Sequence, residues 1–344
     1  MYLHSLATAS PQYTFTQAQT WDLLQHHPAT GQLKERSRSL LGKILTQGSS
    51  GIESRQFADP DLNRVFSRDA EDLNRAYESA APMLGQEALE QALQKAGMSS
   101  DEVDALFVCS CTGYLCPGPS SYIAEVMGMR SNTYLADLIG LGCGAAIPAL
   151  RAAQGYAAAN PSHKIAMIAV EVSSAAFYLD DDPGVLISLC LFGDGAAAAI
   201  LGQQVPESGP ARCFDHFDTH HVPEQREKIR FVNSGGRLKN QLHRAVPGLA
   251  AEAVSELFAR RSRDPQQILA HSGGRDVIEA IEAAIPDHTL TETREVLNRH
   301  GNLSSPSVLF ALEERLRRQP DSESLWLTAF GAGFAAHCCE LTAG

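Results

Sequence analysis

The stretch Leu138-Ile-Gly-Leu-Gly-Cys143-Gly-Ala-Ala-Ile-Pro148-Ala-Leu150 sets a cysteine between glycines at the mouth of an apolar helix. Glycine on both sides lets the backbone turn sharply and lets another group approach closely. Proline is tolerated only in the first helical turn, where its missing N–H would have no partner anyway, so Pro148 puts the helix start near residue 144 or 145. The Cys143 sulfur then sits at the positive end of a helix, where free N–H groups and the macrodipole favour thiolate over thiol. The plainer alternative is a small buried cysteine packed beside a glycine turn.

Outward from this segment the chain alternates helices and strands. Helical spacing over residues 83–97 stops at Gly97, and Ala105–Cys109 reads as a buried strand. The Cys143 helix is followed by a strand over Lys164–Val170, and Phe192-Gly-Asp-Gly-Ala-Ala-Ala-Ala opens with a tight turn into a small-residue strand ending at Leu201. A second series follows in the same order: a helix over 249–261, a short strand Ile268–His271 ending in Ser-Gly-Gly, a helix over 276–284, a helix begun by Asn302-Leu-Ser-Ser-Pro306, and a strand over Leu325–Gly331. Pro306 follows Asn302 much as Pro148 follows Cys143. This spacing predicts an α/β protein of two similar halves, 1–202 carrying the nucleophile and 203–344 carrying the histidine and asparagine. A pseudo-twofold would turn both helix mouths toward one central site. The polar, irregular stretch 203–240 is expected to be the crossover.

Composition narrows the function. With 344 residues, 44% hydrophobic and 20% charged, the chain can bury a large core, as an ordinary soluble enzyme does. Its net charge of −12 argues against nucleic acid, and an anionic substrate would need a local cationic patch. No apolar run approaches the roughly 18 residues that span a bilayer. The start, Met1 to Pro11, lacks a basic region and reads as a strand, so a cytoplasmic location is expected. The eight cysteines do not form a short secreted framework and should be reduced; Cys338 and Cys339 read as core. Cys109-Ser-Cys111-Thr-Gly-Tyr-Leu-Cys116 lacks paired C-x-x-C units and a nearby histidine pair, so no metal is expected.

Cys143, His271 and Asn302 are the candidates for one catalytic site. An imidazole that takes the thiol proton activates the cysteine, and the glycines after His271 free its ring to project into a cavity. Asn302 is either a helix N-cap or a donor to a developing oxyanion. If Asn302 instead orients the histidine ring, the trio is a cysteine hydrolase. A non-catalytic scaffold has no use for the combination.

Several segments, in order, resemble the type III polyketide synthases, the chalcone and stilbene synthase family within the thiolase superfamily. Leu3-His-Ser-Leu-Ala-Thr-Ala-Ser-Pro11 is similar to the family's first strand. Gly140-Leu-Gly-Cys143-Gly-Ala-Ala resembles its nucleophile segment, and Leu191-Phe192-Gly-Asp-Gly-Ala-Ala-Ala its glycine-aspartate-glycine run. Ala270-His271-Ser-Gly-Gly and Gly301-Asn302-Leu-Ser-Ser-Pro-Ser-Val-Leu-Phe310 resemble the histidine and asparagine segments, and Ala329-Phe-Gly-Ala-Gly-Phe334 the glycine-rich loop near the C-terminus. The resemblance implies a thiolase-like duplicated α-β-α-β-α layered fold and a homodimer in which the residue matching Cys116 reaches the partner's cavity. It also implies decarboxylative Claisen condensation of malonyl-CoA onto an acyl-CoA starter. Cys143 would carry the acyl group, and His271 and Asn302 would hold the malonyl thioester carbonyl. Both substrates are coenzyme A thioesters, and no separate cofactor is implied. Phe192 matches a phenylalanine that gates the cavity, and Asn240 falls where a second gating aromatic is expected. Cys111, Thr112, Ser173, Ala176 and Ser304 match residues that shape the polyketide pocket. Lys43 and Arg55 are the nearest candidates for the coenzyme A phosphates. A ketoacyl synthase III-like enzyme, performing one condensation and served by an acyl carrier protein, shares the same logic and is the alternative.

Overall fold

The computed structural model describes residues 1–207 and 209–343. Among the described residues there are thirteen strands: β1 (Tyr2–Ala9), β2 (Tyr13–Thr16), β3 (Ser54–Phe57), β4 (Ala105–Cys109), β5 (Tyr134–Leu138), β6 (Ile165–Val172), β7 (Asp194–Gly202), β8 (Arg212–His221), β9 (Ile229–Ser234), β10 (Arg237–Leu242), β11 (Gln267–Ala270), β12 (Ser324–Gly331) and β13 (Ala335–Ala343). Nine form one mixed sheet in the order β11-β12-β13-β8-β1-β7-β6-β4-β5, while β2 with β3 and β9 with β10 make two small antiparallel ribbons. The pairs β5–β4, β4–β6 and β11–β12 are parallel, and every inner pair is antiparallel. One residue pair, Tyr2 with Cys213, joins the two ends of the sheet through β1 and β8.

Burial explains the layering. The helices Ala146–Ala159 and Ser307–Arg318 share one apolar core with Phe107, Met167 and Ala197 from one end of the sheet and Leu269, Leu327 and Leu341 from the other. The long helix Ala70–Ala96 covers the opposite face of β1, β7, β6 and β4. Helices Val246–Ala259 and Arg275–Ala284 cover the outer face of β11 to β13. The result is the α-β-α-β-α layering expected from the sequence.

Several boundaries differ from those read along the chain. The helix expected from residue 83 begins at Ala70, capped by Asp69, and continues through Pro82 to the left-handed Gly97. The stretch 203–240 is not an irregular crossover. It contains β8, which is central to the sheet, and the β9–β10 hairpin. β8 reads as polar because its hydrophilic side chains have partners: Asp218 pairs with Arg260, and Thr219 bonds His337.

Candidate active site

The nucleophile segment folds as a single tight turn, Gly142–Gly144, running into the helix at Ala146. Gly140 and Gly142 take left-handed backbone angles of +84° and +60°. The turn nests on the end of β12, where a side chain on Gly331 would lie 2.6 Å from Gly144 N and 3.0 Å from Cys143 N. Glycine is thus required on both sides of this contact.

His271 directly follows β11 and is buried, its ring against the edge of Phe330 at 5.2 Å. Its Nδ1 lies 2.5 Å from Ser307 Oγ, which is also 2.8 Å from the Ser304 carbonyl. The Ser307 hydroxyl has one proton to give, so Nε2 is an acceptor in one tautomer and a donor in the other. Asn302 is held by a bridge to Phe192. It is not the N-cap of the helix that follows, which is Pro306. Its Oδ1 accepts from Ser304 N at 2.8 Å, and its Nδ2 donates to the Gly273 carbonyl at 3.1 Å. It makes no bond to the histidine ring.

All three residues line one cavity of about 690 Å³. Its walls are apolar, and its outer rim carries Lys43, Arg230, Arg244 and Arg275. Arg230 is paired with Glu227, and Arg275 with Asp276 and Glu279, which leaves Lys43 and Arg244 as the lining cations outside any ion pair among the described residues. Arg55, by contrast, is no part of this rim. Arg55 is wholly buried and donates to the carbonyls of Leu189 and Phe192 at 2.6 and 2.8 Å.

The resting electrostatics differ from the sequence expectation. Burial pushes the Cys143 thiol up to about 12, against the opposing pull of a hydrogen bond from Ser304. Burial likewise drives the His271 ring down to about 3. In both groups the desolvation of burial outweighs the hydrogen bonds that pull the other way.

Beneath the sulfur lies a polar network that sequence reasoning missed. Glu171 has no exposure and accepts from Cys111 N, Thr112 N, Thr112 Oγ1 and Ser305 Oγ at 2.9, 3.0, 2.9 and 2.6 Å. Ser304 Oγ lies 3.2 Å from both Cys143 Sγ and Cys111 Sγ, linking the nucleophile to this carboxylate. The available signal was a lone acid closing the apolar run Ile165–Val170. Cys111 and Ser304 thus lie behind Cys143, and neither is among the residues lining the cavity. Thr112, Ser173, Ala176, Phe192 and Asn240 line a second, smaller pocket next to it. Among the described residues no group of three or more His, Cys, Asp or Glu side chains is placed to hold a metal ion.

Comparison with known proteins agrees with this geometry. Residues 58–205 match the family described as chalcone and stilbene synthases, N-terminal domain. A 3,5-dihydroxyphenylacetyl-CoA synthase of Streptomyces toyocaensis is 30% identical over 286 residues, covering 78% of this chain and 73% of that protein. A 1,3,6,8-tetrahydroxynaphthalene synthase of Streptomyces peucetius is 30% identical over 325 residues, covering 87% and 82%. The crystal structure of a polyketide synthase from the brown alga Ectocarpus siliculosus superposes with a TM-score of 0.90 at 23% identity, over 99% of this chain and 98% of that one.

Proposed function

Because the chain belongs to the chalcone and stilbene synthase family of type III polyketide synthases, we propose that its Cys143, His271 and Asn302 carry out decarboxylative condensation of malonyl-CoA onto an acyl-CoA starter. The observation that carries this assignment is Asn302. Its amide is held by Ser304 and Gly273 while the residue lines the cavity with Cys143 and His271, and it leaves the ring of His271 alone. A hydrolytic triad would need the opposite arrangement.

The steps follow from the groups in place. The Cys143 sulfur attacks the starter thioester, its proton passes to His271 Nε2 and then to the departing coenzyme A thiolate. A malonyl-CoA then enters the emptied cavity with its thioester carbonyl facing the second N–H of Asn302 Nδ2 and His271 Nε2, which bears a proton once the ring has passed to the tautomer in which Nδ1 accepts from Ser307 Oγ. Loss of carbon dioxide leaves an enolate whose oxygen these donors stabilise. Its carbon attacks the acyl-Cys143 carbonyl and the carbon–sulfur bond breaks with Cys143 leaving as thiolate; for a further round that thiolate takes the lengthened acyl group back from coenzyme A, which departs before the next malonyl-CoA binds. Removing one such donor typically costs about 100- to 1000-fold in kcat.

The chain is also proposed to work as a homodimer. Among the described residues strand β5 pairs only with β4; Tyr134 and Leu135 on it and Ile139 just after it are exposed, as are Tyr114 and Val126. Flat apolar edges of this kind are normally covered. The division into halves at residues 202 and 203 belongs to the same proposal; like strand orders on the two sides of the β1–β8 junction support it. Among the described residues no helix is long and apolar enough to cross a membrane.

The test is labelled malonyl-CoA supplied with a panel of acyl-CoA starters. Extended products that require both substrates are expected. Release of free acid from the starter, with no need for malonyl-CoA, would instead favour a hydrolase.

A further inference from the structure

Arg55 is a buried cation that the condensation steps leave without a task, and it grips the end of a helix beside the site. The helix Pro183–Leu191 runs up to the cavity, whose wall includes Ile187, Leu191 and Phe192. The last carbonyls of a helix have no partner within it. Here they are met from outside. Arg55 Nη1 donates to Leu189 O and Phe192 O at 2.6 and 2.8 Å, and Gln17 Nε2 donates to Cys190 O at 2.9 Å. Gln17 Oε1 in turn accepts from Arg55 Nε at 3.1 Å. The carbonyl between them, Leu191 O, accepts from Asn302 N at 2.8 Å, and Gly193 N donates to Asn302 O at 3.1 Å.

The backbone of Asn302 thus hangs on a peptide segment whose carbonyls on either side are held by Arg55 and Gln17. The fit leaves no slack. A side chain added at Gly301, where φ is +70°, would sit 2.5 Å from Leu191 O and 2.8 Å from Arg55 Cγ. One added at Gly193 would lie 2.3 Å from His300 O. The neighbours of Arg55 in β3 hold the same loop just before it: Ser54 Oγ and Gln56 Nε2 each donate to Arg299 O at 3.1 Å.

Charge matters here as well as geometry. A helix ends in a partial negative charge, and such an end bonded to Asn302 opposes an enolate oxygen forming at that residue. A guanidinium keeps its proton in a folded protein, so Arg55 offsets this end while its hydrogen bonds fix it. We propose that Arg55 is a positioning residue for decarboxylation: by clamping the carbonyl end of the helix, it sets where Asn302 stands in the chamber. This inference rests on the condensation reading above. It gives Arg55, which the sequence offered for the coenzyme A phosphates, a task inside the protein instead.

The measurement is carbon dioxide release from labelled malonyl-CoA in Arg55→Met, which keeps bulk without charge or donors, and in Arg55→Lys, which keeps the charge. Each change is also combined with Asn302→Ala. The burst of coenzyme A thiol from acetyl-CoA alone reports acylation of Cys143, a step carried by Cys143 and His271. A displacement of about 1 Å near a reacting group can cost about 100-fold. Arg55→Met should lower kcat for release by about 10- to 100-fold and Arg55→Lys by less, with the burst rate within about twofold of wild type. Because Arg55 acts through Asn302, neither change should lower release further in the Asn302→Ala background. Losses that multiply in the double variants, or a burst that falls in step with release, mean general support of the fold and overturn the role of Arg55. Unmoved release in both single variants overturns it too. Should Arg55→Met fail to fold, Arg55→Lys and its double variant carry the same comparison. A wild type that releases no carbon dioxide from malonyl-CoA overturns the condensation reading, and the role of Arg55 with it.

Discussion

Ser304 shows how much one residue carries here. It is fully buried with a left-handed backbone (φ 59°), a conformation that costs a non-glycine residue about 1 kcal/mol or more. Its hydroxyl sits between the Cys143 sulfur and the Glu171 carboxylate. That bond pulls the thiol down while burial and the Glu171 charge push it up, and burial prevails, leaving Cys143 at about 12. Burial thus favours the thiol form of Cys143. Because the thiolate is the alkylated species, the rate of Cys143 alkylation by iodoacetamide should climb about tenfold per pH unit from pH 7 to 9 with no plateau. Mass-spectrometric labelling of the Cys143 peptide reads this directly. A plateau below pH 8 would mean a pre-formed thiolate.

Among the elements, the turn at Gly142–Gly144 depends on the end of β12. A methyl on Gly331 would meet Leu141 O and Gly144 N at 2.6 Å, both backbone atoms that cannot swing aside. Gly331→Ala should cost about 1–3 kcal/mol of stability. It should also displace the nucleophile turn, lowering the melting temperature and the alkylation rate together. A variant with an unchanged melting temperature would show that the two segments do not press on each other. Elements with strong local signals were legible in the sequence: the buried strand Ala105–Cys109 occupies the very residues read for it, and the Arg275 helix and the β12 strand differ from their readings by a single residue at the start. The Cys143 helix was placed to within a turn by Pro148. What could not be read depends on partners distant in the chain. The polar face of β8 is satisfied by Arg260 and His337, and the Glu171 network needs loops from three parts of the chain. His271 and Asn302 were found as residues, but their supports, Ser307 and Gly273, were not.

For the whole molecule, the nine-stranded sheet brings segments far apart in the chain to one chamber: the 142–144 turn, the end of β11 and the loop before residue 307. The same sheet ends at the uncovered β5. If β5 is the dimer edge, sedimentation velocity should report a species of twice the 37.0 kDa chain mass, and Ile139→Asp should shift it toward monomer. A wild-type monomer at micromolar concentration would remove the dimer from the proposal. The central claim is a division of labour, with Cys143 holding the chain and Asn302 with His271 driving decarboxylation. It is tested most directly by carbon dioxide release from labelled malonyl-CoA in Cys143→Ala and Asn302→Ala side by side. The account predicts that Cys143→Ala still releases carbon dioxide but forms no extended product, while Asn302→Ala loses release by about 100- to 1000-fold. Release abolished by Cys143→Ala but untouched by Asn302→Ala would contradict it.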